Sequence, residues 1–289
     1  MINDRKLSHS QNFLISPEFV GNLIDKTTIS DRDLVIEVGP GKGVITNELS
    51  RRAQRVIGVE YDPKLAERLK TGLTNNSNIE IIHADFLKWN LPQGPYKVFA
   101  NIPFNMTADI VNKLLVSSNS PQDTYLIMQD KAAERFIGAP VSTNSQMSIL
   151  LQPFYDMSIL TKIDRSHFQP IPKVNIVLVR FKGKDNQLVD PKLKQLYRDF
   201  VIYGYNQWQP TLLDAFKKVL TNKQLSIVSK SFGLKGLKPS ELTINQWLGM
   251  FNSFVKFMSD DKKNIVRGAE NRLIFSQRGI QKEHRTRRK

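Results

Sequence analysis

Ala100-Asn101-Ile102-Pro103-Phe104 closes an apolar run and gathers groups suited to a flat base that carries an exocyclic amine. The Asn101 side-chain oxygen and a main-chain carbonyl at the Ile102-Pro103 bend can accept both N–H groups of such an amine. Phe104 can stack on the ring face, an interaction worth roughly 1–3 kcal/mol per base. An amine whose lone pair is delocalised into its ring is a poor nucleophile. Acceptors that hold both hydrogens turn the lone pair toward an electrophile, and proximity and orientation then supply much of the rate. The same residues also fit a plain strand-to-helix turn, with Asn101 as cap and Phe104 in the core.

Three features upstream favour the chemical reading. Leu34–Val38 is a buried-strand pattern that runs straight into Gly39-Pro40-Gly41-Lys42-Gly43, followed by a helical pattern from Val44 to Ala53. Glycines there let main-chain N–H groups approach a ligand at a helix start. The G-x-G-x-G spacing is neither a dinucleotide fingerprint nor a Walker loop. The next strand, Arg55–Glu60, ends in an acid about 20 residues after the loop, where a carboxylate can accept both hydroxyls of a ribose. A third strand, Ile79–Ala84, is followed by Asp85. Either acid alone could be a helix cap. Two acids and a glycine loop at three successive strand ends favour a nucleoside site over incidental caps and turns.

These residues need a scaffold that brings strand ends together. Strand and helix patterns alternate from Leu34 to Phe181, which predicts a mostly parallel sheet with an antiparallel hairpin at its end. His167-Phe168-Gln169-Pro170-Ile171-Pro172-Lys173-Val174 is a proline-rigid loop before the last strand, and Gly183-Lys-Asp-Asn-Gln marks a boundary. Beyond it only helical spacings occur. Trp247 and Phe251, four apart, read as core. The expected domains are 1–182 catalytic, 183–258 helical and RNA-binding, and 259–289 a basic, flexible tail; residues 262–289 hold ten Lys/Arg against two Glu. A polycation binds phosphate backbones without sequence preference, although such a tail can also be a solvated end.

Totals narrow the classes. The chain has 289 residues, a net charge of +15 and 40% hydrophobic residues, which suits a soluble protein with a polyanionic partner. The absence of cysteine excludes disulfides, cysteine nucleophiles and thiolate metal sites. The four histidines are scattered without zinc spacing, and no run approaches a membrane span or a secretory leader. The expected location is the cytoplasm, with no membrane partner and no metal.

On these residues the chain resembles the Erm family of adenine N6-methyltransferases that act on 23S rRNA, relatives of the KsgA small-subunit rRNA dimethyltransferases. The carriers are Gln11-Asn-Phe-Leu14, Glu37-Val-Gly-Pro-Gly-Lys-Gly43, Glu60, Ala84-Asp85, Asn101-Ile-Pro-Phe104 and Phe168-Gln-Pro-Ile-Pro-Lys-Val174. The resemblance implies a Rossmann-like class I α/β methyltransferase fold with a small all-helical C-terminal domain, S-adenosylmethionine as cofactor, and a monomer acting on 23S rRNA. It implies that Asn12 and Leu14 line the methionine end, that Gly39 and Gly41 give backbone contacts, and that Glu60 holds the ribose. Asp85 would bind the cofactor's adenine amine and Asn101 would touch cofactor and target. Asn101, Ile102, Pro103 and Phe104 would form the catalytic set, with Phe104 and Phe168 flanking the target base. The family usually has tyrosine at Phe104; stacking survives the change, while any positioning by a phenol does not.

Direct in-line methyl transfer needs no covalent intermediate and no metal, and the target adenine must be unpaired or flipped. Three rival readings stay open. One is a KsgA-like enzyme of 16S rRNA, another a non-catalytic rRNA-binding factor, and a third a DNA adenine methyltransferase. Ile102, Met106-Thr-Ala-Asp-Ile110, Leu150–Tyr155 and the basic tail favour the Erm side, whose consequence is resistance to macrolide, lincosamide and streptogramin B antibiotics.

Overall fold

A computed structural model describes residues 12–74, 76–117 and 119–277. The arm begins with a two-residue strand, Phe13–Leu14 (β1), and a helix, Pro17–Ile24 (α1). Ser16 caps that helix by accepting the Phe19 N–H at 3.2 Å, and Pro17 stands at the first helical position, where its missing donor is no loss. Strand and helix then alternate: Leu34–Val38 (β2), Val44–Ser50 (α2), Arg55–Glu60 (β3), Pro63–Gly72 (α3), Ile79–His83 (β4), Lys97–Asn101 (β5), Thr107–Val116 (α4), Asp123–Gln129 (β6) and Asp130–Ile137 (α5). Tyr155–Ile163 (β7), the two-residue Phe168–Gln169 (β8) and Ile176–Gly183 (β9) complete this part.

Seven strands form one sheet in the order β4-β3-β2-β5-β6-β9-β7. The first five are parallel and β9 runs antiparallel to both its neighbours. Central strands such as β2, with four of five residues buried, are apolar almost throughout because helices cover both faces of a parallel sheet. At the start of β6, Asp123 accepts from the Arg180 guanidinium at 2.7 and 3.1 Å and from Thr28 at 3.0 Å. Lys97 at the start of β5 pairs with Asp33 at 2.8 Å. These charges lock the amino ends of the strands, and the polar groups at the carboxyl ends stay available for a ligand.

The chain divides into two compact units: one holds the sheet, and the second takes Gly138–Phe154 together with the chain from Asn186 onward. The excursion 138–154 therefore clusters with the helices, where a continuous 1–182 domain was expected. The second unit contains Gln146–Leu151 (α6), Lys194–Tyr205 (α7), Leu212–Ala215 (α8), Asn222–Phe232 (α9), Ile244–Phe257 (α10), Asp260–Val266 (α11) and Ala269–Gln277 (α12). Its core is aromatic: Phe200 meets Phe216, Trp247, Phe251 and Phe254 at centroid distances of 4.6 to 6.1 Å. Asn144 and Tyr197 tie the excursion in, through Asn144 Nδ2 to the Leu242 carbonyl at 2.9 Å and the Tyr197 hydroxyl to the Ile149 carbonyl at 2.8 Å.

The expected flexible tail from 259 is corrected over its first part. Helices α11 and α12 occupy most of 260–277, and Glu270 reaches the Arg198 guanidinium of α7 at 2.5 to 3.2 Å. Two adjacent ionic groups on α7, Arg198 and Asp199, are buried and find their partners there. The polybasic remainder, including Arg285-Thr-Arg-Arg-Lys289, lies outside the described residues, as do Ser8 to Gln11.

Candidate active site

From β2 the strand order runs outward through β3 and β4 on one side and through β5 and β6 on the other. The crevice between the carboxyl ends of β2 and β5 is the switch point at which open α/β sheets bind ligands. A cleft with about 430 Å³ of empty space lies there, lined by Asn12, Phe13, Gly39, Gly41 and residues 101–104.

The loop after β2 turns on glycines in the left-handed region, with φ of 69° at Gly39 and 58° at Gly41. Side chains avoid that region. A Cβ at Gly39 would meet nothing within 4 Å, so its main chain faces open space. A Cβ at Gly41 would come within 2.6 Å of the Phe13 ring, which rests directly on the loop. β1 delivers Phe13 to this place by pairing antiparallel with β8, Phe13 opposite Gln169 and Leu14 opposite Phe168. The Lys42 ammonium sits 5.1 Å from the Phe13 ring centre.

Carboxyl groups stand at or near the ends of β2, β3 and β4. Glu60, at the end of β3, is 3% exposed and accepts the Gly41 N–H and the Asp62 N–H, each at 2.9 Å. Each of its oxygens thus fixes main chain, one in the glycine loop and one in the turn before α3. A ribose could reach only the lone pairs that remain. Glu37, buried beside the loop, accepts the Thr46 hydroxyl at 2.6 Å with one oxygen, and its Oε1 has no partner. Burial, helped by the nearby Glu60 charge and opposed by the Thr46 hydroxyl, pushes the Glu37 carboxyl up to about 8. Asp85, about a quarter exposed, holds its own turn through the Leu87 N–H at 3.0 Å. Lys113 of α4 donates to the Leu87 carbonyl at 3.1 Å and to that of Trp89, fixing the turn that carries Asp85.

Asn101 ends β5. Its Nδ2 donates to the Asn12 carbonyl at 2.7 Å. Only the amino end of the amide can donate to a carbonyl, so the arm decides which end is left over, and it is the acceptor Oδ1. Ile102 is 2% exposed and anchors the bend, with its N–H on the Ile127 carbonyl at 3.3 Å. Phe104 lines the cleft half-buried, one side against the core and one side free for a ring.

Asn12, Gly39, Gly41, Asn101, Ile102, Pro103 and Phe104 thus share one cleft, with Glu60 directly beneath. Leu14 is 4% exposed and its side chain belongs to the core, although it borders a small recess with Phe13, Gly39 and Asn101. Phe168 is a correction. Its ring is 1% exposed inside the core cluster that includes Leu14 and Val20, and a ring without a free face cannot flank a base. Phe13 and Lys113 were not singled out as site residues. A two-residue strand has no periodicity to announce it, and a lysine that serves carbonyls looks like any surface lysine.

Open glycine main chain, a half-free aromatic face and the carboxylates Glu60 and Asp85 at two strand ends fit a cationic nucleoside. They fit S-adenosylmethionine, whose sulfonium and ammonium are positive and whose ribose and adenine need acceptors.

The family model "Ribosomal RNA adenine dimethylase" matches residues 2–256. An rRNA adenine N-6-methyltransferase of Lysinibacillus sphaericus is 31% identical over 257 residues, covering 89% of this chain and 99% of that protein. A ribosomal RNA small subunit methyltransferase A of Clostridium perfringens is 29% identical over 263 residues, 88% of this chain and 92% of that protein. Among solved structures, 23S rRNA methyltransferase ErmE superposes with a TM-score of 0.74 at 24% identity over 85% of this chain and all of that one, a likeness of fold. With the site geometry and the matched length together, the chain belongs to the ribosomal RNA adenine dimethylase family, enzymes that transfer methyl from S-adenosylmethionine to adenine N6.

Proposed function

We propose that this protein methylates N6 of one specific unpaired adenine in 23S rRNA, acting as a monomer in the cytoplasm, and so confers resistance to macrolide, lincosamide and streptogramin B antibiotics. The observation that carries the adenine reading is the Asn101 amide, held by Asn12 with its oxygen left to accept. The large-subunit choice is supported by Ile102 and Met106–Ile110, the residues through which the chain resembles Erm enzymes.

When bound, S-adenosylmethionine supplies an electrophilic methyl on a sulfonium. The chain's residues do the rest. Asn101 Oδ1 and the carbonyl of Ile102 or Pro103 accept the two amine hydrogens and orient the nitrogen lone pair. Phe104 stacks on the base and keeps water from one face. Gly39 and Gly41 offer main chain to the donor, Glu60 sets the loop and takes a ribose hydroxyl on its remaining lone pairs, and Asp85 accepts from the donor's adenine. Once methylated, the nitrogen is acidic and its proton leaves to water.

The test is transfer of labelled methyl to protein-free 23S rRNA and, in parallel, to 30S subunits, with the modified nucleoside mapped by primer extension. Label on one 23S adenine is expected, and Asn101→Ala should lower the rate at least about a hundredfold. Label on 16S rRNA would replace this reading with the small-subunit one, which the Clostridium relative favours. RNA bound without any label would leave a non-catalytic factor.

A further inference from the structure

Trp208 is 92% exposed, an anomaly for a large apolar side chain. It is also the one non-glycine residue with left-handed backbone among the described residues, at φ 53°. That conformation is strained for a bulky side chain, and such strain persists where surrounding structure imposes it. Two residues earlier, Asn206 Nδ2 donates to the Ile202 carbonyl at 2.7 Å and to Gln146 at 2.8 Å, fixing the turn that ends α7.

The indole borders a groove between the ends of α7 and α12, with about 1,210 Å³ of open space. Lys218 and Arg272 line the groove and no carboxylate does. The Arg272 guanidinium is held in place by the carbonyls of Arg267 at 2.8 Å and Ile265 at 2.9 Å. Lys262 brings a third cation by donating to the Lys218 carbonyl at 3.0 Å. Gln277 also lines the groove, and the sequence continues from it into a segment with six Lys/Arg and one Glu.

We propose that this groove is a second RNA contact, taking one unpaired nucleotide with its base stacked on Trp208 and its phosphate drawn to Lys218 and Arg272. An exposed aromatic face beside cations without carboxylates is the combination that holds single-stranded nucleic acid regardless of sequence. The net charge of +15 favours a polyanion over a protein partner. The proposal deepens the reading of RNA as substrate and rests on it.

The full chain is titrated with a single-stranded oligoadenylate of roughly twelve nucleotides. Tryptophan fluorescence and the anisotropy of labelled RNA are followed together. Of the three tryptophans, Trp247 is fully buried and Trp89 is partly exposed, so the part of the quench lost in Trp208→Ala is the part that reports on Trp208. Trp208→Ala should lose most of the quench and weaken binding about ten- to a hundredfold, while Trp208→Phe keeps most of the affinity. Lys218→Gln should lower the slope of log affinity against log salt by about one. Circular dichroism checks that the variants fold. Wild-type affinity in Trp208→Ala would overturn the proposal and leave the methyltransferase reading standing. A wild-type chain that binds no RNA would overturn both. Self-association abolished by Trp208→Ala, with RNA affinity unchanged, would give the groove to a second copy of the chain.

Discussion

At the level of single residues, the proposed site holds groups that would touch a ligand and groups that set the charge around it. Phe104 belongs to the first kind. Its ring is half-buried, so removing it costs little core and takes away one face of the base-binding slot. Phe104→Ala should therefore lower methyl transfer by about ten- to a hundredfold with a modest change in melting temperature, and Phe104→Tyr should stay near wild type. Steady-state rates on an rRNA fragment read this directly; an unchanged rate in the alanine variant would remove Phe104 from the site. Glu37 belongs to the second kind. The folded chain keeps its proton up to about pH 8, whereas the unfolded chain loses it near the ordinary value of 4.5. Its contribution thus favours folding below that ordinary value and is lost as pH rises between the two, levelling off above the upper one. Glu37→Gln is neutral throughout and can still accept from Thr46. The melting temperature of the variant minus that of wild type should grow from about pH 5 to about pH 8 and then flatten. Parallel curves would mean that Glu37 is ionised in the fold. That Asn101 and the glycines meet at one cleft was legible in the sequence, because each follows a short apolar run at a strand end. Phe168 was not, because an aromatic residue beside prolines reads alike whether its ring is free or buried at 1% exposure.

At the level of elements, the parallel strands could be read because each is a short apolar run bounded by turn residues. The β1–β8 pair could not: it has two residues on each side and its register is fixed only by the chains that flank it. Yet it carries Phe13 onto Gly41 and the Asn12 carbonyl onto Asn101, so a minor element positions both halves of the cleft. Gly41→Ala probes this coupling. The added methyl meets the Phe13 ring at 2.6 Å and sits on a left-handed backbone, so loop and arm must part. The expected result is a loss of about 1–3 kcal/mol in stability and a weaker affinity for S-adenosylmethionine by roughly tenfold, read by calorimetry. Since Asn101 loses its anchor when the arm shifts, the rate at saturating cofactor should fall as well. An affinity and a rate both unchanged would show that the arm does not position the cleft.

At the scale of the whole molecule, the described part of the basic C-terminal segment does a structural job that composition did not announce. Its charge reads as a solvated tail throughout, but the stretch through α12 satisfies charges that α7 buries. Arg198 and Asp199 are 5% and 3% exposed. Asp199 accepts the N–H groups of Gly268 and Glu270, each at 2.9 Å. Burial alone would raise the Glu270 carboxyl, but the Arg198 guanidinium outweighs it and holds the group below its ordinary value. Ending the chain after Phe257 removes every one of these partners, together with the helices packed on α7, and leaves Arg198 and Asp199 without them. Breaking a buried pair from one side costs about 3–5 kcal/mol, which corresponds to a fall of roughly 10 °C in melting temperature. Ending it after Gln277 keeps the partners and removes only the last six Lys/Arg. That shorter chain should melt within about 2 °C of the full one, and the slope of log RNA affinity against log salt should flatten by up to about four. Thermal melts and salt titrations of the two truncations separate that job from RNA binding by the terminal cations. If both melt alike, α12 is no part of the folded unit; if the salt slope survives the second cut, the terminal cations do not meet RNA.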